Sequence, residues 1–276
     1  MANCIYCGKP AGFLKSVHKE CEEKYENGKK EIISSIENFE SQKNNLSNLK
    51  NKVDDIAKSS FINNKNLKSL IISGWEKAVE KAFENNLLTE EEENSLENII
   101  DLFSLSKEEL DKNGSFTKLV QGSVLRDIME GKIPERMQVQ GVLPFNLQKT
   151  EKLVWVFQNV DYYEEKTRTR YVGGTRGVSI RVAKGLYFRT GGFRGERVQT
   201  SQTVHADTGL LGITNKHIYF AGSIKRFRIK YDKIVTFEPY SDGIGIQKDN
   251  ATAKPQLFIT GDGWFIYNLV TNLAQL

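Results

Sequence analysis

Hydrophobic positions change their period along this chain, and the change marks a boundary. Between residues 22 and 57 there is no proline, and Ile32, Ile33, Ile36, Phe39, Leu46, Leu49, Val53 and Ile56 recur at steps of mostly three, four and seven. That is one narrow apolar stripe on a long helix. It fits a stalk over 22–60 that builds a homo-oligomer, and it fits packing on the helices that follow. Residues 66–84 repeat the period with Leu67, Leu70, Ile71, Trp75, Val79 and Phe83, which predicts a second helix. Thr89 with Glu92, and Ser106 with Glu109, place a hydroxyl at a helix start and a carboxylate three residues on. These capping boxes open helices at about 90–103 and 106–112, and a third at 115–130 is closed by Gly131 and Pro134. The run Glu90 to Glu93 is therefore assigned to helix-start electrostatics rather than to a metal or catalytic cluster.

Near Gly141 the period becomes two, and Gly, Arg, Tyr, Phe and Val become common. Strands are expected at Lys152–Tyr162, Gly177–Ala183, Gly185–Arg189, Gly209–Thr214, His217–Ala221, Arg226–Tyr231, Ile234–Tyr240, Gly243–Lys248 and Gln256–Thr260, with polar turns at Asn215 and Asp242. The tail through Trp264, Ile266, Leu269, Val270 and Leu273 turns helical. The expected fold class is α+β and multidomain. It comprises a knuckle at 1–21, a long helix at 22–60, a helical domain at 61–140, and at 141–276 an antiparallel β-barrel closed by a helix. Residues 162–204 read as an Arg/Gly-rich insertion in that barrel.

Length and composition narrow this further. The 276 residues are about twice a typical domain, and 39% hydrophobic with 27% charged residues excludes a collagenous or low-complexity chain. No run approaches the ~20 apolar residues of a membrane span, and Met1-Ala-Asn-Cys4 lacks the basic-then-apolar character of a signal peptide. A cytoplasmic protein is expected, peripheral at the membrane if it binds lipid. The net charge is +4, but it is unevenly spread: residues 22–135 hold 23 Asp/Glu against 16 Lys/Arg, whereas 166–230 hold 14 Lys/Arg against two acids, Glu196 and Asp207. Such asymmetry points to an acidic or phosphate-bearing partner, or to halves that neutralise each other.

All three cysteines and one of the three histidines fall in the arrangement Cys4-x2-Cys7-x10-His18-x2-Cys21. Two x2 pairs around a short spacer clasp opposite edges of a tetrahedral ion, and four protein ligands leave no open position. A closed site of this kind is structural zinc. A disulfide reading would strand one cysteine. The segment resembles the short zinc-ribbon modules that head many bacterial proteins.

Two further resemblances are carried by defined runs. Asn86-Leu-Leu-Thr-Glu-Glu-Glu-Glu93, followed by an apolar helix and Leu105-Ser-Lys-Glu-Glu-Leu110, resembles part of the tellurite-resistance B-like helical domains of bacteria, although that family's acidic metal pattern finds no residue-by-residue match. Asp207-Thr-Gly-Leu-Leu-Gly-Ile-Thr-Asn-Lys-His-Ile-Tyr-Phe220, followed by the basic strand Lys225 to Ile234, resembles the bacterial pleckstrin-homology (PH) and GRAM-like domains. That resemblance implies a small barrel serving lipid binding, peptide binding or scaffolding.

Within the insertion, Arg168, Arg170, Arg176, Arg181, Lys184, Arg189, Arg194 and Arg197 alternate with glycine and aromatics. Arginine forks grip phosphate or carboxylate, glycine permits close approach, and aromatics stack. The same glycines also suit hairpin turns, with the arginines covering a solvent face. No Walker Gly-Lys-Ser/Thr follows, and no serine elbow, HExxH or paired-carboxylate pattern appears. His205, His217, Asp207, Asp242 and Asp262 form no acid/base set on sequence grounds, and every cysteine is committed to the metal. The expectation is a non-catalytic zinc-containing adaptor that binds an anionic lipid or an acidic protein surface, compatible with a role in bacterial stress response or phage defence. The rivals are nucleic-acid binding and an assembly scaffold.

Overall fold

The computed structural model describes residues 2–12, 15–39, 46–84, 87–137, 141–172, 181–183, 186–187, 196–250 and 253–276, with the side chains of 167–201 left aside. The chain divides into two compact units, Met1–Arg136 and Met137–Leu276.

The first unit is helical: α1 (Lys19–Glu37), α2 (Leu46–Ser59), α3 (Asn64–Ala82), α4 (Glu90–Phe103), α5 (Lys107–Leu110) and α6 (Ser115–Met129). The single long helix expected over 22–60 is therefore two helices. The seven-residue step from Phe39 to Leu46, which keeps the stripe in phase on paper, spans the break between them. Asn38 ends α1, its amide Nδ2 donating to the Ser34 carbonyl at 2.9 Å. Ile32 and Ile36 of α1 and Leu49, Val53 and Ile56 of α2 are all buried in one core with Trp75 of α3. Of the two readings of the stripe, packing on the helices that follow is the one these five residues follow.

Helix starts follow the sequence closely. Thr89 Oγ1 accepts from the Glu92 amide at 3.2 Å while Glu92 returns a bond to the Thr89 amide at 2.9 Å, and Ser106 with Glu109 repeats the box. Thr89→Ala is expected to cost about 1 kcal/mol, read as a lowered denaturant midpoint of the helical unit, with Thr89→Ser close to wild type. Glu93 departs from the expected role. It is buried, and accepts charge-assisted bonds from Arg126 and, at 2.6 Å, from Arg136. Arg136 also binds Asp127 at 2.7 Å, which ties the last residue of the unit back onto α6.

The second unit is an antiparallel sheet with one helix: β1 (Leu153–Val172), β2 (Arg181–Ala183), β3 (Leu186–Tyr187), β4 (Glu196–Thr214), β5 (His217–Gly222), β6 (Arg226–Lys230), β7 (Ile234–Pro239), β8 (Gly243–Lys248), β9 (Gln256–Ile259) and α7 (Gly263–Leu273). Seven strands run in the order β6-β5-β4-β1-β9-β8-β7, with β2-β3 as a separate pair. The barrel expected from the alternation is thus an open sheet among the described residues, with β6 and β7 as its edges. Its inner face is aromatic: Tyr162 meets Phe220 and Phe258 at 5.2 Å each. Phe265 of α7 packs edge-on against Trp155 at 4.9 Å. On the outer face Phe145, flanked by Leu143 and Leu147, covers Tyr219 and Ala221 of β5. Phe145 lies so close over Gly212 that a Cβ there would stand 2.5 Å from its ring.

The strand expected at 152–162 continues to Val172, and its partner starts at Glu196 instead of Gly209. Residues 162–172 and 196–204 of the expected insertion are therefore an extension of the central hairpin. Its residues 173–180, 184, 185 and 188–195 lie outside the described residues.

Candidate metal centre

Cys4 and Cys7 lie on a tight backbone loop. The Gly8 amide donates to the Cys4 carbonyl at 2.9 Å, and Gly8 holds φ +73°, a conformation that suits glycine. The Cys4 amide bonds to the Lys9 carbonyl, and Asn3 bridges to Pro10, closing a small hairpin around the first sulfur pair. The second pair comes from a helix start: His18 is the N-cap of α1, its carbonyl accepting from the Cys21 amide at 3.0 Å, and Cys21 sits in the first turn. An x2 spacing across a helix cap turns both side chains to one side. That brings them to the loop.

The four donor atoms lie within 4.8 Å of one another. His18 Nδ1 is 3.4 Å from Cys7 Sγ and 3.8 Å from Cys21 Sγ. A tetrahedral ion with about 2.3 Å bonds to sulfur and 2.0 Å to nitrogen spaces its ligands roughly 3.5–3.8 Å apart, so the set is close enough to bind a metal ion. The other imidazole nitrogen, Nε2, lies 3.0 Å from the Pro10 carbonyl. An N–H donated there leaves Nδ1 bare and aimed at the sulfurs, the usual outer partner of a metal-binding histidine.

Electrostatics supports the same use. Burial raises the Cys4 thiol, but the backbone amides of Cys7, His18 and Tyr6 stabilise its thiolate and hold it at about 6. Cys21 is pushed up to about 11 by burial and by the neighbouring Cys7 and Cys4 sulfurs. Ionising Cys21 beside the Cys4 thiolate calls for a compensating cation. The knuckle is also joined to the helices: the Tyr6 ring meets Tyr25 of α1 in a tilted contact at 4.8 Å, and the Tyr25 hydroxyl accepts from Asn66 of α3 at 3.0 Å. Expected as a separate domain at 1–21, it lies within the helical unit.

The arginine set is dispersed in register. Arg168 pairs with Thr200, Arg170 with Val198, and Arg197 with Tyr171 along the β1–β4 hairpin, while Arg181 pairs with Tyr187 in the small β2–β3 ladder. Arg176, Lys184, Arg189 and Arg194 lie outside the described residues. The residues weighed for acid/base chemistry each have a local task. Asp207 accepts from the Ile224 and Lys225 amides at 2.7 Å each and pins the β5–β6 turn. Asp262 caps α7 through the Phe265 amide, the Asp242 carbonyl receives the Thr260 and Gly261 amides, and His205 lies beside Asp161 at 3.2 Å on the surface.

One polar cluster has no signal in the sequence. Glu151 precedes β1 with its carboxylate buried, 2.8 Å from His217 Nδ1, 2.8 Å from the Tyr219 hydroxyl and 2.5 Å from the Thr214 hydroxyl. Burial raises this carboxyl, yet the donors, led by the Gln148 amide, outweigh it and hold it at about 2. His217, Thr214 and Tyr219 share a hairpin, but nothing in their spacing points to a glutamate more than sixty residues upstream. No protein-family model, curated protein or solved structure matches the chain, and its chemistry is read from its own geometry.

Proposed function

We propose that this chain is a zinc-stapled, non-catalytic adaptor whose β unit is a PH/GRAM-like module that presents an arginine-rich arm to an anionic membrane surface. Three thiolates with one imidazole, closed and tetrahedral, suit zinc among the common ions, and a closed set serves folding rather than catalysis. The PH-like assignment is supported by topology: β1 is central, the two edge strands β6 and β7 are consecutive in sequence, and α7 packs on the inner aromatic face. A role in bacterial stress response or phage defence is compatible with this reading.

The observation that carries the reading is the arm itself. The last pairing of β1 with β9 is at Glu164, yet β1 and β4 stay paired for eight further residues, from Glu165 opposite Thr203 to Val172 opposite Glu196. At about 3.3 Å per residue this two-stranded ribbon runs ~26 Å past the shared ladder; it carries Lys166, Arg168, Arg170 and Arg197 against Glu165 and Glu196, and the overlapping segment 166–230 holds 14 Lys/Arg against two acids. Each basic residue near an anionic bilayer contributes about 1 kcal/mol. The triple variant Arg168→Glu, Arg170→Glu and Arg197→Glu is therefore expected to lose more than about a hundredfold in partitioning. The measurement is flotation of the full chain with phosphatidylcholine vesicles, with and without phosphatidylserine, at physiological salt. Flotation on neutral vesicles, or an unaffected triple variant, defeats the membrane reading. Loss of flotation to a competing oligonucleotide transfers the arm to nucleic acid, whose major groove also admits a two-stranded ribbon.

A further inference from the structure

We propose that the free edge of β6 is a docking strand for an extended peptide in which acidic and apolar residues alternate. Among the described residues strand β6 pairs with β5 alone, from His217 opposite Lys230 to Ala221 opposite Arg226, so its other side offers backbone groups that no described strand pairs. Arg226, Arg228 and Lys230 are exposed at two-residue spacing, whereas Ile229 is buried and Phe227 half-buried on the opposite face. A strand added at this edge presents every second side chain at the same repeat, about 6.8 Å. Acids on one face would meet the three cations, and apolar residues on the other would extend the face of Phe227.

The charges are available for such a partner. Among the described residues neither Arg226 nor Arg228 meets a carboxylate. Arg226 Nε donates to the Gly222 carbonyl at 3.3 Å, and Arg228 lies against the Tyr219 hydroxyl. Lys230 holds Asp232 at 2.6 Å, an exposed pair that an incoming acid can exchange. Just before the strand, Ile224 is 75% exposed on a turn that Asp207 pins, giving an apolar contact in a fixed position. Charge selects the occupant. Three like charges repel a second β6, which bars self-pairing, and they attract an acidic strand. The opposite edge, β7, has no cation among its six residues and carries Glu238 and Pro239, so it refuses the same peptide.

The test is fluorescence anisotropy of the full chain with a labelled peptide of four Glu-Val repeats. The control has the same composition in two blocks, four Glu followed by four Val. The alternating peptide is expected to bind about tenfold or more tightly than the blocked one, and Arg228→Glu to remove at least that factor, with Arg228→Lys between. Backbone N-methylation at alternate residues of the peptide is expected to abolish binding, because strand pairing needs those amides. Equal binding of alternating and blocked peptides would overturn the proposal, as would indifference to Arg226→Glu with Arg228→Glu in a folded protein. Tighter capture of a single-stranded oligonucleotide of equal charge would assign the edge to phosphate instead. The triple ribbon variant is expected to retain peptide binding, so this surface and the membrane arm stand or fall separately.

Discussion

A chelator is expected to release one zinc ion per chain and to unfold residues 2–18 while the helices behind them remain folded. The asymmetry follows from where apolar burial lies. Among the described residues of 2–18 only Cys4 and Ala11 are buried hydrophobics, whereas Ile32, Ile36, Trp75, Val79 and Leu96 belong to a core whose buried members all lie outside the knuckle. A segment of this size has no core of its own, and structural zinc supplies about 10–16 kcal/mol of apparent binding free energy in comparable small modules. Cys21→Ser should reproduce the chelated state, since it removes the ligand that couples the loop to α1. Metal content by mass spectrometry, thiol titration before and after chelation, and amide exchange over 2–18 read the three parts of the expectation. Three thiols that react at full rate before chelation, or a knuckle that keeps its exchange protection afterwards, would show that the four side chains meet for another reason.

The metal cluster was legible because its chemistry is local. Ligand type and spacing specify a tetrahedron before any fold is known, and the structure brings together Cys4, Cys7, His18 and Cys21. Helix starts were legible for the same reason, since a capping box is a bond between residues three apart. The break between α1 and α2 was hidden because the step from Phe39 to Leu46 equals two helical turns, so periodicity cannot tell continuation from a return. The length of the central hairpin was hidden differently. Thr167 to Arg170 and Gln199 to Thr203 are polar at nearly every position, so a ribbon with no core to cover leaves no alternation of apolar residues to read. Glu93 shows the limit of a charge run: four successive glutamates look alike in sequence, yet the one buried beside Arg126 and Arg136 answers to partners more than thirty residues away.

Replacing Glu151 with glutamine is expected to destabilise the β unit by about 3 kcal/mol at neutral pH and to flatten its acid response. Removing the charge leaves the Thr214 hydroxyl, His217 Nδ1 and the Tyr219 hydroxyl facing an amide that cannot serve them all from a buried position. The ordinary glutamate value of 4.5 falls to about 2 in the fold. At about 1.4 kcal/mol per unit, that difference is worth roughly 3 kcal/mol. The sign follows from which state binds the proton. Between pH 4.5 and 2 the unfolded chain takes it up and the folded chain does not, so the contribution is complete above that window and is lost as pH falls through it. About 2 kcal/mol should already be gone at pH 3. Asp207, held at about 2 chiefly by the Lys225 and Ile224 amides, adds a slope of the same sign that the Glu151→Gln variant keeps. Calorimetric scans of wild type and variant between pH 7 and 3 should therefore converge without meeting at a common slope. A gap that stays constant across that range would mean that Glu151 matters to this sheet through its shape, with Phe145 and Leu147 holding the segment on β5, and not through its charge.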